Sequence, residues 1–235
     1  MTRSSVVAVL RERGVWGLLT AIVRRLRGVS SSHGHHHIHI DDVSRDARGV
    51  DVVGFFTAEH GVGEAARTLV SALRTTDIDI STVNYTDTES RTEHFFVTDD
   101  VSRHHTLLMS INADQLVVAR DRLGDHFFHN RYVIGQWFWE LEVAPAWYEP
   151  AWPIVNELWA PTRFIEEMLK KNAPSKVVIR HVSLPIVPPR IDDSFTRPRW
   201  NIDGRYMFLF VFDLMSIIKL KIPLVLISAY SKAFS

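Results

Sequence analysis

Three groups of residues in this 235-residue sequence have types and spacing suited to chemistry. Between residues 137 and 159 stand five of its seven tryptophans: Trp137, Trp139, Trp147, Trp152 and Trp159. Glu140 sits among them. A carboxylate set between aromatic rings needs hydrogen-bond donors or water, and apolar surroundings raise its pKa. It is therefore a candidate acid/base group, a hydrogen-bond acceptor for ligand hydroxyls, or a buried structural carboxylate. The second group is Gly61-Val62-Gly63-Glu64-Ala65-Ala66-Arg67, directly after an apolar run. A strand, a glycine loop and a helix present backbone N–H groups to a phosphate. Gly61 and Gly63 lack the third glycine of the dinucleotide fingerprint. Glu64 also suits the first turn of any helix, with Arg67 three residues on as its ion-pair partner. The third group is Asn112-Ala113-Asp114. It closes an apolar segment where an open parallel sheet faces its ligand, and Asp114 equally suits a helix cap.

The elements that must hold these residues read as an alternating α/β chain. Strands are predicted at 50–56, 78–85, 106–112, 132–135, 156–161 and 176–180, most of them apolar runs expected of a buried parallel sheet. The segment from Trp137 to Leu141 alternates in a way that suits an extended chain with two unlike faces. Helices are predicted through Leu69–Leu73, over 115–122, and after Thr162, whose hydroxyl suits an N-cap. Thr86 to Thr98 is polar and reads as a loop. This order predicts a parallel sheet with right-handed crossovers.

Before the sheet, residues 1–29 read as a basic amphipathic helix. Its arginines, Arg3 to Arg27, oppose the single acid Glu12. Such a helix lies on an anionic membrane surface or packs on protein. Residues 30–49 read as a Ser/His-rich linker, with five histidines between His33 and His39. Those histidines attract Zn²⁺ or Ni²⁺, but no strand or helix spacing fixes a preformed site, and no metal site is expected. After the 50–190 domain, prolines and charges mark a linker at 191–205. The run Tyr206 to Asp213 then predicts the first buried strand of another domain, followed by Ser216 and a helical segment to Phe234.

Composition narrows the function classes. The formal charge is zero, which gives no electrostatic footprint for nucleic acid. The absence of cysteine excludes disulfides, thiolate metal sites and cysteine nucleophiles, and fits a cytoplasmic chain. The most apolar stretch, 206–230, is broken by Asp213, Lys219, Lys221 and Pro223. The N-terminus lacks the apolar core of a secretory signal.

Tyr-x-Ile-Gly-x-Trp-x-Trp-Glu-Leu at 132–141, followed by Glu157-x-Trp159-x-Pro161-Thr162-x-Phe164, resembles the N-terminal half of family 4 glycosyltransferases. These are retaining enzymes of the GT-B fold, with two Rossmann-like domains. The resemblance implies sugar transfer from a nucleotide-diphosphate sugar to an acceptor hydroxyl of a glycan or lipid, without a cofactor. It implies that Gly61, Gly63, Glu64 and Arg67 form a loop facing the interdomain cleft, near the donor phosphates or the acceptor. Asn112, Trp137 and Trp139 fall on the acceptor side, with Asp114 and Glu140 as candidate catalytic carboxylates. Phe210-Val211-Phe212-Asp213-x-x-Ser216 and Lys221 match the start of the family's donor domain, whereas Leu220 and Ile222 replace an arginine and an asparagine. That exchange weakens the clamp on the donor diphosphate. The paired glutamates that hold the sugar nucleotide in this family lie beyond Ser235. The resemblance thus predicts a truncated donor domain: a fragment, or a half-enzyme that takes a partner or self-associates through 206–234. A non-catalytic module that binds a sugar, a lipid head group or a partner is the other reading.

Overall fold

The computed structural model describes residues 39–40, 46–186, 188, 190–202, 204, 206–212 and 221–234, with side chains from Arg48 onward. The expected basic helix at 1–29, the side chains of the histidine tract and Ser216 lie outside the described residues. The chain divides into two units, Met1–Val187 and Pro188–Ser235.

The first unit is a six-stranded, wholly parallel sheet. Its strands are β1 (Asp46–Gly54), β2 (Asp79–Asn84), β3 (His104–Ser110), β4 (Tyr132–Gln136), β5 (Glu157–Ala160) and β6 (Val178–His181). Their order across the sheet is β2-β1-β3-β4-β5-β6. The helices are α1 (Gly61–Leu73), α2 (Ala113–Leu123), α3 (Asp125–Phe128) and α4 (Arg163–Asn172), with a 3-10 segment at Ala146–Ile154. This is a Rossmann-like α/β architecture. Stepping from β1 to β2 runs one way across the sheet and all later steps run the other. Right-handed crossovers therefore place α1 on one face and α2 to α4 on the opposite face.

The core follows that division. Ala66, Leu69 and Val70 of α1 cluster with Val50, Val52, Leu108 and Ile134. Leu116 of α2, Phe127 of α3 and Met168 and Leu169 of α4 cluster with Val53, Leu107, Met109 and Leu158 on the other face. Thr162 caps α4 as expected, its hydroxyl accepting the Ile165 N–H at 3.2 Å.

Several details differ from the sequence expectations. Sheet pairing begins at Asp46, inside the expected 30–49 linker, and His39–Ile40 pairs in parallel with Val101–Ser102. An irregular register between Asp46 and Val50 lets the strand start before its apolar run. The crossover between β2 and β3 contains no helix. It instead finishes the edge of β2: the Asp99 carboxylate accepts the Thr82 N–H at 2.9 Å, and Asp100 accepts that of Asn84 at 3.0 Å. Carboxylates on these outward N–H groups leave no template for a further strand.

Asp51 interrupts the apolar run of β1 and is fully buried. It accepts hydrogen bonds from Ser102 Oγ at 2.7 Å, from the Arg103 N–H at 3.0 Å and from the Arg131 guanidinium. The network ties the end of the β2–β3 crossover to strand β1. It belongs to the frame, beneath the strand ends that bear the site.

In the second unit no strand forms at 206–212, against expectation. Tyr206 is 85% exposed and Val211 79%. The expected terminal helix is present as α5 (Pro223–Ala233), opened by its proline. Leu224, Val225, Leu226 and Ile227 on α5 are all exposed, while Phe208 touches the rings of Tyr230 and Phe234 at 5.5 Å. No helix among the described residues is long and apolar enough to cross a membrane.

Candidate functional site

The loop after β1 turns tightly, the Ala58 N–H donating to the Phe55 carbonyl at 3.1 Å, and delivers His60 in extended conformation to the start of α1. His60 is the N-cap: its Nδ1 accepts the Gly63 N–H at 3.1 Å. That bond fixes the tautomer with the proton on Nε2. Burial lowers the His60 pKa, with the charge of Arg67 acting in the same direction, so the imidazole is neutral at neutral pH. Its ring rests edge-on against Phe55 at 5.0 Å.

The two glycines of this loop do different work. A Cβ on Gly63 would stand 2.6 Å from the Phe55 carbonyl oxygen and 2.7 Å from that of Ala58, so only glycine fits. A Cβ on Gly61 would meet open space. Gly61 forms part of a wall, whereas Gly63 lets the helix close on the loop.

Arg67 turns into the protein. Its Nη1 donates to the carbonyls of Phe56 and Ala58, both at 2.9 Å, and its Nη2 donates to Glu64 Oε2 at 2.8 Å. The side chain is buried. The resemblance placed Glu64 and Arg67 in a ligand-facing loop; here they form the i,i+3 ion pair that the helix spacing also offered, and the buried Arg67 gives the loop its shape.

The opposite wall comes from the end of β3. Asn112 occupies the N-cap position of α2 but makes no cap bond; its Oδ1 accepts the Phe138 N–H at 2.8 Å. The side chain thus joins the ends of β3 and β4. Asp114 does not cap α2 either. It lies in the first turn, open to solvent on one side and walled by protein on the other. Desolvation raises its pKa, while the N–H groups of Gln115 and of Asp114 itself pull it down. Behind it the Tyr148 hydroxyl donates to the Phe138 carbonyl at 3.4 Å. Burial raises the Tyr148 pKa, helped by the Asp114 charge.

Between these walls lies an open cleft of about 590 Å³. Phe55, His60, Gly61 and Val62 form one side and Asn112, Asp114 and Gln115 the other, with Thr88 and Phe138 completing the lining. The cleft sits beyond the C-terminal ends of β1 and β3, where the strand order reverses. Open parallel sheets bind their ligands at this topological switch point. Among the described residues, no group of histidine, aspartate and glutamate side chains is placed to hold a metal ion.

The structure thus brings together Gly61, Asn112 and Asp114 of the residues singled out in the sequence. Trp137 is fully buried against Tyr148 and Trp152 and belongs to the core rather than to an acceptor wall. Trp139 is half-buried, packs on Trp147 at 5.3 Å and spends its indole N–H on the Val143 carbonyl at 2.9 Å. Glu140 is exposed at the end of an irregular stretch, not set among the rings. The 137–141 segment forms no strand because β4 ends at Gln136 and the chain bends after Glu140. Lys221 is an exposed residue of the second unit.

The sequence reading missed His60, Thr88 and Phe138. Histidine is an uncommon N-cap, Thr88 falls in a loop without periodicity, and Phe138 was one ring among many. The fold defines a Rossmann-like α/β protein with an open cleft at the switch point. Comparison with families of known proteins, with curated proteins and with solved structures found no match to this chain.

Proposed function

We propose that Met1–Val187 is the acceptor-side domain of a retaining GT-B glycosyltransferase, moving sugar from a nucleotide-diphosphate sugar to an acceptor hydroxyl. The observation that carries this reading is the switch-point cleft with Gly61 on one wall and Asn112 and Asp114 on the other. These residues fall in the segments through which the sequence resembles family 4 enzymes. In this reading the cleft positions the acceptor, and positioning supplies much of the catalysis. Asp114 stands ready to accept a hydrogen bond or a proton from the acceptor hydroxyl. Partial desolvation raises its pKa and makes it a stronger base than a fully solvated carboxylate. In the same reading the segment from Tyr206 onward corresponds to the start of the family's donor-binding domain, and Ser216 and Lys221 to its donor-binding residues.

One observation favours a second reading, a binding module that performs no transfer. Arg67, the one cation of the glycine loop, is committed to Glu64 and to two backbone carbonyls. It is not available to stabilise a departing diphosphate.

Incubation of the 235-residue protein with radiolabelled UDP-, GDP-, ADP- and dTDP-sugars, with glycan and lipid acceptors, separates the two. Label transfer that is lost in Asp114→Ala supports the enzyme. Absence of both transfer and nucleotide release, with a saccharide still bound, establishes the binding module.

A further inference from the structure

The cleft at the β1/β3 switch point has a charge pattern of its own. Among the described residues that line it there is a carboxylate and no lysine or arginine. Arg67 of α1, Arg91 in the loop that supplies Thr88 and Arg122 of α2 are each paired with an acid: Glu64 at 2.8 Å, Glu59 at 2.6 Å and Asp87 at 2.9 Å.

Two helix N-termini, of α1 and α2, border the cleft, and such termini ordinarily draw anions. Here the protein serves both. His60 Nδ1 takes the Gly63 N–H of α1, and the Asp114 carboxylate stands in the first turn of α2. The negative charge that α2 favours is already supplied by the chain.

What remains facing the cleft is a mixture of donors and acceptors without a cation. His60 offers Nε2–H, because its Nδ1 is an acceptor in the cap. Asn112 offers its amide NH₂, because its Oδ1 is engaged by Phe138. Gln115 offers both amide groups and Asp114 accepts. Phe55 and Phe138 add apolar ring surface. Hydroxyl groups, which donate and accept, together with a C–H face, complement such a wall.

We propose that this cleft selects a neutral, hydroxyl-rich ligand, a sugar or sugar-like polyol, and rejects anions such as sugar phosphates and nucleoside diphosphates. This rests on the acceptor-side reading given above but does not require that transfer occurs. An anion entering the cleft meets the like charge of Asp114 at short range with no neighbouring cation to offset it.

The test uses the full chain at pH 7.5 and saturation-transfer-difference NMR. The probes are the methyl glycosides of glucose, mannose, galactose and N-acetylglucosamine, and in parallel glucose 1-phosphate, glucuronate and UDP. The expected result is saturation of at least one neutral glycoside, with its anionic counterpart weaker by about tenfold or more. Gly61→Leu, whose side chain enters open space, is expected to abolish the neutral signal without lowering the thermal melt. Asp114→Asn is expected to admit glucuronate or glucose 1-phosphate at an affinity close to that of the neutral sugar. Preference for UDP or a sugar phosphate in the wild-type chain overturns the proposal, as does the absence of any neutral-glycoside signal. Persistence of that signal in Gly61→Leu places the sugar elsewhere and also overturns it. Neutral-sugar binding without transfer from any sugar nucleotide upholds the charge selection and rejects the enzyme. Transfer with no neutral-sugar signal does the reverse.

Discussion

Arg67 donates from Nη1 to the Ala58 carbonyl at 2.9 Å, and through this bond the first turns of α1 hold the loop that precedes them. The same nitrogen reaches the Phe56 carbonyl, and Glu64 steadies the guanidinium from its outer side. Removing Arg67 leaves two buried carbonyls without a donor, each costing roughly 1–3 kcal/mol. Arg67→Ala is expected to lower the unfolding free energy by about 2–4 kcal/mol in urea titration. Arg67→Lys is expected to recover little, since a single ammonium does not reproduce the fork. A phosphate-binding role alone would leave stability unchanged in both variants.

Gly61 and Gly63 give a sharper contrast within one loop. Gly63→Ala forces a Cβ to within 2.7 Å of two backbone oxygens, and overpacking of this kind costs about 1–3 kcal/mol. Gly61→Ala meets nothing, and in a helical position it reduces unfolded-state entropy, for a gain of about 0.4–1 kcal/mol. Thermal melts of the two variants should move in opposite directions. Equal destabilisation would mean that Gly61 also serves the fold.

The centre of the sheet was legible because its strands are buried on both faces and read as apolar runs; Val50 to Phe56 and Thr106 to Asn112 are examples. Thr162 announced its helix by its type alone. The position of the cleft was legible too, since Gly61 and Asp114 follow strand ends. Side-chain allegiance was not. Arg67 beside a glycine loop carries the same signal whether it faces a phosphate or its own backbone. Trp137 and Glu140 are neighbours in an aromatic run, yet one is fully buried and the other exposed. Only the end of β4 at Gln136 decides which way each goes. The Asp51 network escaped notice for a related reason. Its partners Ser102 and Arg131 lie far away in the chain, and no local spacing joins them.

The second unit carries apolar surface that a stable soluble chain normally covers. Tyr206, Leu209 and Val211 are 85%, 76% and 79% exposed, and Leu224 on α5 is 74% exposed. Exposed apolar surface of this kind drives association. Light scattering of the full chain is expected to show concentration-dependent oligomers, and deletion of 201–235 is expected to leave a monodisperse species. Scattering unchanged by the deletion would show that this surface drives no association.

Asp114 gives the site a pH dependence whose sign follows from its desolvation. Its folded-state pKa is raised above that of the unfolded chain. The folded protein therefore holds the proton to higher pH than the unfolded one. Stability from this group is fully present below the unfolded carboxyl range, and it is lost as pH rises through the raised folded value. Asp114→Asn removes the charge and keeps the shape. The variant should melt above the wild type at pH 7, and the difference should vanish toward pH 3, where both side chains are neutral. Parallel melts at these two pH values measure it. A wild type that is the more stable at pH 7 would mean that the Gln115 N–H and the α2 N-terminus outweigh desolvation. If the variant gains stability and also admits anionic sugars, the carboxylate is maintained at a cost to the fold for the selection it makes in the cleft.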